Sequence, residues 1–328
     1  MFEGYASWSR ITRALHPLRY ERLPQRRTFQ LSHGIRPMDV SWSAVVKLAR
    51  SNAERVAVWS LVLLIVAGVG LGWYVTNPLS GSDASLATVR ANENVSLSDH
   101  DGTYALEPTD VEPKAGFVFY PGAHVSPDAY LASLAPLVSQ ADIAVYVPRM
   151  PLGFAVFDPG AANNVVAGHP NIDRWFVGGH SLGGVMACRY ASKHRSRVEG
   201  LVLFASYCEA DVTPNVPTLS VTGSADTVLN RKKYAARRRN LPANVTVVEI
   251  QGMNHSEFGS YTGQRGDQPA PIGYRTAHDR LADVIVPWTE NRLTQPPSPH
   301  IRESYLTAKN RLLIHEIRAG YVARGRAG

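Results

Sequence analysis

The sequence predicts an α/β domain with a doubly wound, mostly parallel sheet, preceded by one transmembrane helix. Three observations lead to this prediction. Short apolar runs alternate with segments of helical spacing after Lys114, a hairpin signal precedes them, and residues 56–75 form one uncharged apolar run. With 328 residues, 45% of them hydrophobic, the chain is long enough for one large domain or two small ones with a sizeable core.

Six apolar runs are the predicted strands of the parallel sheet. They lie at residues 116–120, 143–147, 175–177, 201–205, 218–221 and 245–250. Short apolar runs separated by helical segments indicate parallel strands that are covered on both faces. Asp101 and Gly102 lie between two shorter alternating runs, which indicates an antiparallel hairpin at the start of the domain. A last helix is expected over about residues 274–292.

The run at residues 56–75 contains no charged residue and is long enough to cross the hydrocarbon core as a helix. Trp59 lies near one end and Trp73 and Tyr74 lie at the other, where interfacial aromatic residues occur. A buried core helix is the alternative, but no polar face repeats at helical spacing. We interpret the run as an uncleaved anchor, because the apolar part of a signal peptide is shorter, roughly 7–15 residues.

The net charge of +7 is concentrated at the two ends of the chain. Residues 1–55 contain ten basic and four acidic residues, and residues 292–328 contain seven and two, so the centre is mildly acidic. No zinc-finger, basic-zipper or RNA-binding signature occurs, which argues against a nucleic-acid partner. Because positive charge stays on the cytoplasmic side, we expect a cytoplasmic N-terminus and an extracytoplasmic main domain.

These features divide the chain into five predicted parts. They are a basic cytoplasmic segment (1–55), the transmembrane helix (56–75), a linker (76–91), the α/β domain (92–293) and a basic C-terminal tail of no assigned role (294–328). Met38 is an alternative start of translation. The anchor is expected in either case, because Lys47, Arg50 and Arg55 still precede it.

Three residues of complementary chemistry each follow a predicted strand. Ser181 lies in a G-x-S-x-G match, Asp226 follows the run at 218–221, and His255 follows the run at 245–250. In such sheets the chemistry lies at the carboxyl ends of the strands, and the order Ser, Asp, His is the one expected there. A serine hydroxyl becomes nucleophilic when an imidazole takes its proton and a carboxylate orients that imidazole. We predict this triad, with Glu209 and Asp211 as lower-ranked alternative acids.

Each triad member also has an ordinary structural alternative. An aspartate after a glycine is often a helix cap, and a single histidine is more often structural than catalytic. The three residue types together, in this order and position, favour catalysis. The oxyanion hole needs two backbone N–H groups. One is expected from Leu182, directly after the nucleophile, and the other from Gly122 or preferably Ala123, in the loop after residues 116–120.

The substrate pocket is predicted from loops that overhang this edge of the sheet. Its candidate residues are His124, beside the oxyanion loop, and Met150, Leu152, Phe154 and Phe157, after the run at 143–147. Packing beneath a loop is the alternative for the four apolar side chains. An exposed loop position without a role is the alternative for His124.

The chain has two cysteines, Cys188 and Cys208. They do not form a disulfide framework and lack the spacing of a metal site. We therefore expect two small, buried, unpaired residues.

From residue 92 to about residue 292 the sequence resembles an α/β-hydrolase, in particular the single-domain, dienelactone-hydrolase-like or esterase branch. The motifs are "YPG" after the first central strand, "GGHSLGG" at the nucleophile, "GSAD" at the acid and "NHSEFGSY" at the histidine. The resemblance implies Ser181 as nucleophile, Asp226 as acid and His255 as base, with no cofactor and no metal. Dienelactone hydrolases usually carry a cysteine nucleophile, so the serine leaves that substrate in doubt. The gap at residues 206–217 has no room for a lid domain.

The sequence therefore predicts a membrane-anchored serine hydrolase that cleaves a small-molecule ester or acyl substrate through an acyl-enzyme. A thioesterase, an amidase or a lactone hydrolase on the same triad is an alternative, and so is a non-catalytic binding domain of the same fold. Substrate identity, acyl-chain length and oligomeric state are left open.

Overall fold

The computed structural model describes residues 41–214 and 216–296. Most of the predicted basic N-terminal segment and nearly all of the predicted C-terminal tail lie outside these residues. Contacts divide the chain into two units, residues 1–63 and residues 64–328, and the second unit contains the whole sheet.

Eight strands within the described residues form one sheet. They are β1 (Val95–His100), β2 (Thr103–Pro108), β3 (Ala115–Tyr120), β4 (Ile143–Pro148), β5 (Trp175–His180), β6 (Gly200–Phe204), β7 (Thr218–Gly223) and β8 (Thr246–Ile250). Their spatial order is β1-β2-β4-β3-β5-β6-β7-β8. The hairpin of β1 and β2 is antiparallel and joins β4 in antiparallel fashion, and the remaining pairs are parallel. The predicted mostly parallel sheet with an initial hairpin is confirmed.

The described helices are α1 (Trp42–Thr76), α2 (Asp83–Arg90), α3 (Leu131–Ala141), α4 (Ala161–Gly168), α5 (Leu182–Lys193), α6 (Arg231–Arg237) and α7 (Gly273–Thr294). Side chains on β3 alternate between the two faces of the sheet, as the pleat requires. Phe117 and Phe119 pack in one buried cluster with α3 and α7, whereas Val118 and Tyr120 pack in a second cluster with α4 and α5. Every residue of β3 to β7 is buried, because helices cover both faces. The described residues between β6 and β7 contain no helix or strand, so no lid domain is inserted there.

Helix α1 is longer than the predicted span at residues 56–75. It has 35 residues, beginning within the segment that was predicted to be basic and cytoplasmic, where Ala, Lys, Arg and Glu favour a helix. Its portion Asn52–Thr76 has a mean hydropathy of 2.2 and no buried residues. By length and composition this one helix can cross a membrane.

The prediction of a linker over residues 76–91 is wrong. Ser82 caps α2 by accepting a hydrogen bond from the Ser85 backbone N–H, and Val89 of that helix is buried. Before the helix, Leu79 forms a parallel bridge with Val125. The small, polar composition of this segment concealed a capped helix that packs on the domain.

The expectation of two unpaired cysteines is also wrong. Cys188 on α5 and Cys208 after β6 form a disulfide, with their Cα atoms 5.5 Å apart. Because β5 and β6 are parallel neighbours, the helix that follows β5 packs beside the segment that follows β6. The two residues are 20 positions apart in sequence, and local patterns do not reveal this proximity.

Candidate active site

Ser181 occupies a strained turn between β5 and α5. Its φ and ψ are 52° and −120°, a conformation that a non-glycine residue adopts only where its surroundings hold it. A Cβ on Gly183 would overlap the carbonyl oxygens of Tyr120 and Pro121, and a Cβ on Gly179 would lie 2.5 Å from the Gly183 carbonyl carbon. Close packing of main chain on both sides therefore requires these two glycines and maintains the turn.

Asp226 and His255 form a buried pair at the ends of two other strands. Nδ1 of His255 lies 2.9 Å from Oδ2 of Asp226, and the two side chains are 2% and 0% exposed. The other carboxylate oxygen accepts hydrogen bonds from the backbone N–H groups of Val228 (2.8 Å) and Leu229 (2.9 Å). The carboxylate thus holds the imidazole through Nδ1 and leaves Nε2 available for another partner.

The same contacts set the charge of the carboxylate. Burial alone would raise the pKa of Asp226. The hydrogen bond and charge of His255, together with the N–H groups of Leu229 and Val228, outweigh burial and hold the pKa below its ordinary value. Asp226 is therefore ionised at neutral pH.

His180 links this pair to the turn at Ser181. Its ring centroid lies 4.3 Å from that of His255, and its Nδ1 lies 2.9 Å from the Tyr130 hydroxyl. Burial, followed by the proximity of His255, holds the pKa of His180 well below its ordinary value, so this ring is neutral. His180 directly precedes Ser181, so the residue next to the turn contacts His255. The Ser181 hydroxyl has no hydrogen-bond partner among the described residues.

The candidate oxyanion donors have different surroundings. The N–H of Gly122 donates to the Tyr130 hydroxyl at 3.0 Å, so this N–H already has an acceptor. Within the described residues, the N–H of Ala123 donates to no protein acceptor. Leu182 is the first residue of α5, where an N–H has no acceptor inside the helix. Gly183 packs against the start of the Ala123 loop, which places that loop beside the beginning of α5.

The alternative acids lie in other networks. Glu209 pairs with Lys233 at 2.7 Å and with Arg237 at 2.8 Å. Asp211 accepts hydrogen bonds from the residue two positions further along the chain. Neither carboxylate contacts His255. The described part of the chain contains no group of three or more His, Cys, Asp or Glu side chains that could hold a metal ion.

The predicted pocket residues do not share one environment. Met150 is buried, Phe154 is partly buried and Phe157 is exposed. The ring of His124 stacks on Tyr74 with centroids 3.8 Å apart, and its Nε2 donates to the Tyr74 carbonyl at 2.6 Å. His124 therefore joins the loop that contains Ala123 to the end of α1, a contact that the sequence did not indicate.

Two further side chains hold the site and were missed by sequence reasoning. The Ser206 hydroxyl donates to the backbone carbonyl of Ser181 at 2.6 Å. Asp267 accepts hydrogen bonds from the backbone N–H of His255 at 3.2 Å and of Ser256 at 2.8 Å. Both residues lie in loops without periodicity. In the sequence, Ser206 is only a polar residue after a strand, and Asp267 is only a polar residue after His255.

A protein-family model and several solved structures match the chain around these residues. A sequence model of the alpha/beta hydrolase family matches residues 116–279, which contain Ser181, Asp226 and His255. No curated protein matches the chain. Similar solved structures include a CIB-like hydrolase from Thermoplasma acidophilum, Est1E from Butyrivibrio proteoclasticus and an esterase from Pyrobaculum calidifontis. Their identities are 15%, 12% and 16%, with TM-scores of 0.45, 0.44 and 0.45. The matches cover 60%, 62% and 63% of this chain and 99%, 100% and 90% of those chains.

Proposed function

The chain belongs to the alpha/beta hydrolase family, and from this premise we propose that it is a serine hydrolase that cleaves carboxylic esters. The observation that carries the proposal is the buried Asp226–His255 pair beside the strained turn at Ser181. In this proposal Ser181 is the nucleophile, His255 is the general base and Asp226 orients and stabilises the imidazolium.

The first half of the reaction forms an acyl-enzyme. The Ser181 hydroxyl oxygen bonds to the ester carbonyl carbon while Nε2 of His255 takes the hydroxyl proton. The carbonyl oxygen becomes an oxyanion, which accepts hydrogen bonds from the N–H groups of Ala123 and Leu182. The carbon–oxygen bond to the alcohol then breaks. The alcohol leaves with the proton from His255, and the acyl group remains on Ser181.

The second half regenerates the enzyme. Water attacks the acyl carbon and gives a proton to Nε2 of His255. The bond to Ser181 breaks, the serine oxygen recovers that proton, and the carboxylic acid leaves. Asp226 supports both halves, since its hydrogen bond to Nδ1 keeps Nε2 as the atom that accepts and returns protons.

We further propose that α1 anchors the hydrolase domain outside the cytoplasm. The basic residues before the apolar run at residues 56–75 and the acidic stretch after it support a cytoplasmic N-terminus. The Cys188–Cys208 disulfide supports the same orientation, because disulfides persist in oxidising compartments and are rare in the cytosol. Protease added on the extracytoplasmic side should digest the domain while the membrane that α1 crosses is still sealed. Any layer outside that membrane is first made permeable. Digestion from the cytoplasmic side alone would contradict this topology.

A fluorophosphonate probe tests the proposed chemistry, since it reacts with activated serines. The full-length protein in detergent should be labelled and should hydrolyse a short soluble ester, and Ser181→Ala should lose both, with kcat reduced by about 10⁶. Ser192→Ala is the matched control, because Ser192 lies on α5 and bonds only to the carbonyl of its own helix. Labelling that persists in Ser181→Ala would contradict the proposal.

A further inference from the structure

The exposed apolar side chains of the hydrolase domain are concentrated in one loop. Outside α1, five large hydrophobic side chains are exposed among the described residues. Three of them lie within six residues of each other after β4: Leu152 (53% exposed), Val156 (44%) and Phe157 (59%). We call these three residues the mouth patch. Single exposed apolar side chains are ordinary, whereas a cluster of exposed apolar side chains marks a surface that binds a partner, a membrane or a ligand.

The mouth patch lies beside the candidate active site. Its loop follows the carboxyl end of β4, the edge of the sheet where the triad residues also lie. The N–H of His124 donates to the Gly153 carbonyl at 2.7 Å, so this loop is bonded to the loop that contains Ala123. On its other side, the turn Ala155–Phe157 packs against α5, the helix that begins with Leu182.

The end of α1 is attached at the same place. Tyr74, in the last turn of α1, stacks on His124, and the N–H of Leu79 donates to the His124 carbonyl at 2.9 Å. Ring contacts continue from His124 to Phe154 (centroids 6.4 Å apart) and from Phe154 to Phe157 (6.2 Å). The apolar end of α1 and the mouth patch are therefore three successive ring contacts apart.

We propose that the mouth patch docks on the outer leaflet of the membrane that α1 crosses, and that the substrate is a lipid ester resident in that leaflet. This inference rests on the proposed function and on α1 as the anchor. Trp73 and Tyr74 are at the end of the span, where aromatic residues lie at the headgroup level. The contacts of Tyr74 then hold the loop around Ala123 at the same level, and burial of the exposed mouth patch in the leaflet is favourable. A lipid ester reaches Ser181 without leaving the interface.

The first test uses the full-length chain in phosphatidylcholine vesicles that contain a fluorogenic lipid ester. The variant Leu152→Ser/Val156→Ser/Phe157→Ser should hydrolyse the vesicle ester at least about tenfold more slowly. Each replacement removes part of the favourable free energy of transferring an apolar side chain from water to lipid, which weakens docking. Leu152 and Phe157 are also candidate pocket residues, so the comparison on a soluble substrate uses Val156→Ser alone. This variant should hydrolyse a short soluble ester in detergent within about twofold of the parent protein and should still be slower on the vesicle ester.

Val111→Ser/Val247→Ser is the matched control. These are the other two exposed large hydrophobic residues of the domain among the described residues. Val111 precedes β3 and is thus at the opposite edge of the sheet, and Val247 lies on the edge strand β8. This variant should match the parent protein on both substrates. Equal loss in the two variants, or a patch variant that cleaves the vesicle ester at the parent rate, would overturn the inference.

The second test does not depend on activity. Because both cysteines form the disulfide, Val156→Cys provides one free thiol for an environment-sensitive fluorophore. Its emission should shift to the blue in vesicles and be quenched by lipid-borne quenchers, whereas a label at Val111→Cys should report water. A label at residue 156 that reports water would overturn membrane docking. An emission shift that depends on the protein-to-lipid ratio and not on the lipid-borne quencher would overturn it as well. The absence of fluorophosphonate labelling in the parent protein would instead contradict the hydrolase proposal and leave this readout intact.

Discussion

Replacing Asp226 with asparagine changes one atom in the hydrogen-bonded system around His255. In the native chain Oδ1 accepts the N–H groups of Val228 and Leu229, and Oδ2 lies 2.9 Å from Nδ1 of His255. The asparagine oxygen retains the two backbone hydrogen bonds, so its NH₂ group faces Nδ1. An amide N–H donates there, and the imidazole must then carry its proton on Nε2. In that tautomer Nε2 cannot accept the proton of Ser181.

The expected loss follows from the tautomer. In another Ser-His-Asp hydrolase the same exchange lowers kcat by about 10⁴, which corresponds to about 5.5 kcal/mol of barrier. The cost to the fold is smaller, because the amide occupies the same buried volume, keeps the two backbone hydrogen bonds and exchanges the charge-assisted hydrogen bond to His255 for a neutral one. One charge-assisted hydrogen bond contributes about 1.5–3 kcal/mol, and we expect the free energy of unfolding to fall by no more than this.

The assay is steady-state hydrolysis of a soluble ester near pH 7.5, with circular dichroism to show that the variant is folded. Asp211→Asn is the control, because this carboxylate lies after β6 and contacts its own loop instead of the imidazole. It should keep the parent rate. A folded Asp226→Asn variant that retains kcat within tenfold of the parent protein, or an equal loss in Asp211→Asn, would refute this role of Asp226.

Three other predictions concern the fold. Gly183→Ala should yield little folded or active protein, because its Cβ would overlap main-chain carbonyl oxygens, whereas Gly168→Ala, with nothing within 4 Å, should unfold at the parent temperature. Cys188→Ala/Cys208→Ala opens a loop of about 20 residues and should lower the free energy of unfolding by about 3 kcal/mol in urea titrations; a loss under about 1 kcal/mol would contradict a structural disulfide. Burial holds the pKa of His278 below its ordinary value, so below about pH 6.5 the unfolded state binds a proton that the folded state does not. The free energy of unfolding should therefore fall with decreasing pH, by up to about 1.4 kcal/mol per unit for this group, and His278→Gln should flatten that slope; an unchanged slope would refute the assignment.

Much of the sheet could be predicted from the sequence because burial on both faces imposes a visible pattern. The runs at 143–147 and 218–221 became β4 and β7 almost unchanged, since strands buried on both faces must be continuously apolar. The proximity of Asp226 and His255 followed from the same topology, as each follows the carboxyl end of a parallel strand.

Other features depend on neighbours that are distant in sequence. Gly122 and Ala123 are adjacent, and only the Tyr130 hydroxyl, from another element, shows which N–H is already engaged. The pairing of Cys188 with Cys208 arises because β5 and β6 are neighbours in space. No local periodicity contains this information.

The segment after α1 was missed for a different reason. Its residues are small and polar, a composition shared by linkers and by short capped helices. Ser82 is a helix-capping residue type, but its signal is weak without the tertiary contacts of Leu79 and Val89. Those contacts place the end of α1 at His124, and the inference about the membrane surface depends on them.

The central claim is that Ser181 is the reacting nucleophile. The most direct test is tandem mass spectrometry of the full-length protein after complete inactivation by a fluorophosphonate. We predict a single phosphonyl adduct, on Ser181, whose appearance matches the loss of ester hydrolysis in time. Complete inactivation with an adduct on any other residue, or hydrolysis that continues after Ser181 is fully modified, would contradict the account.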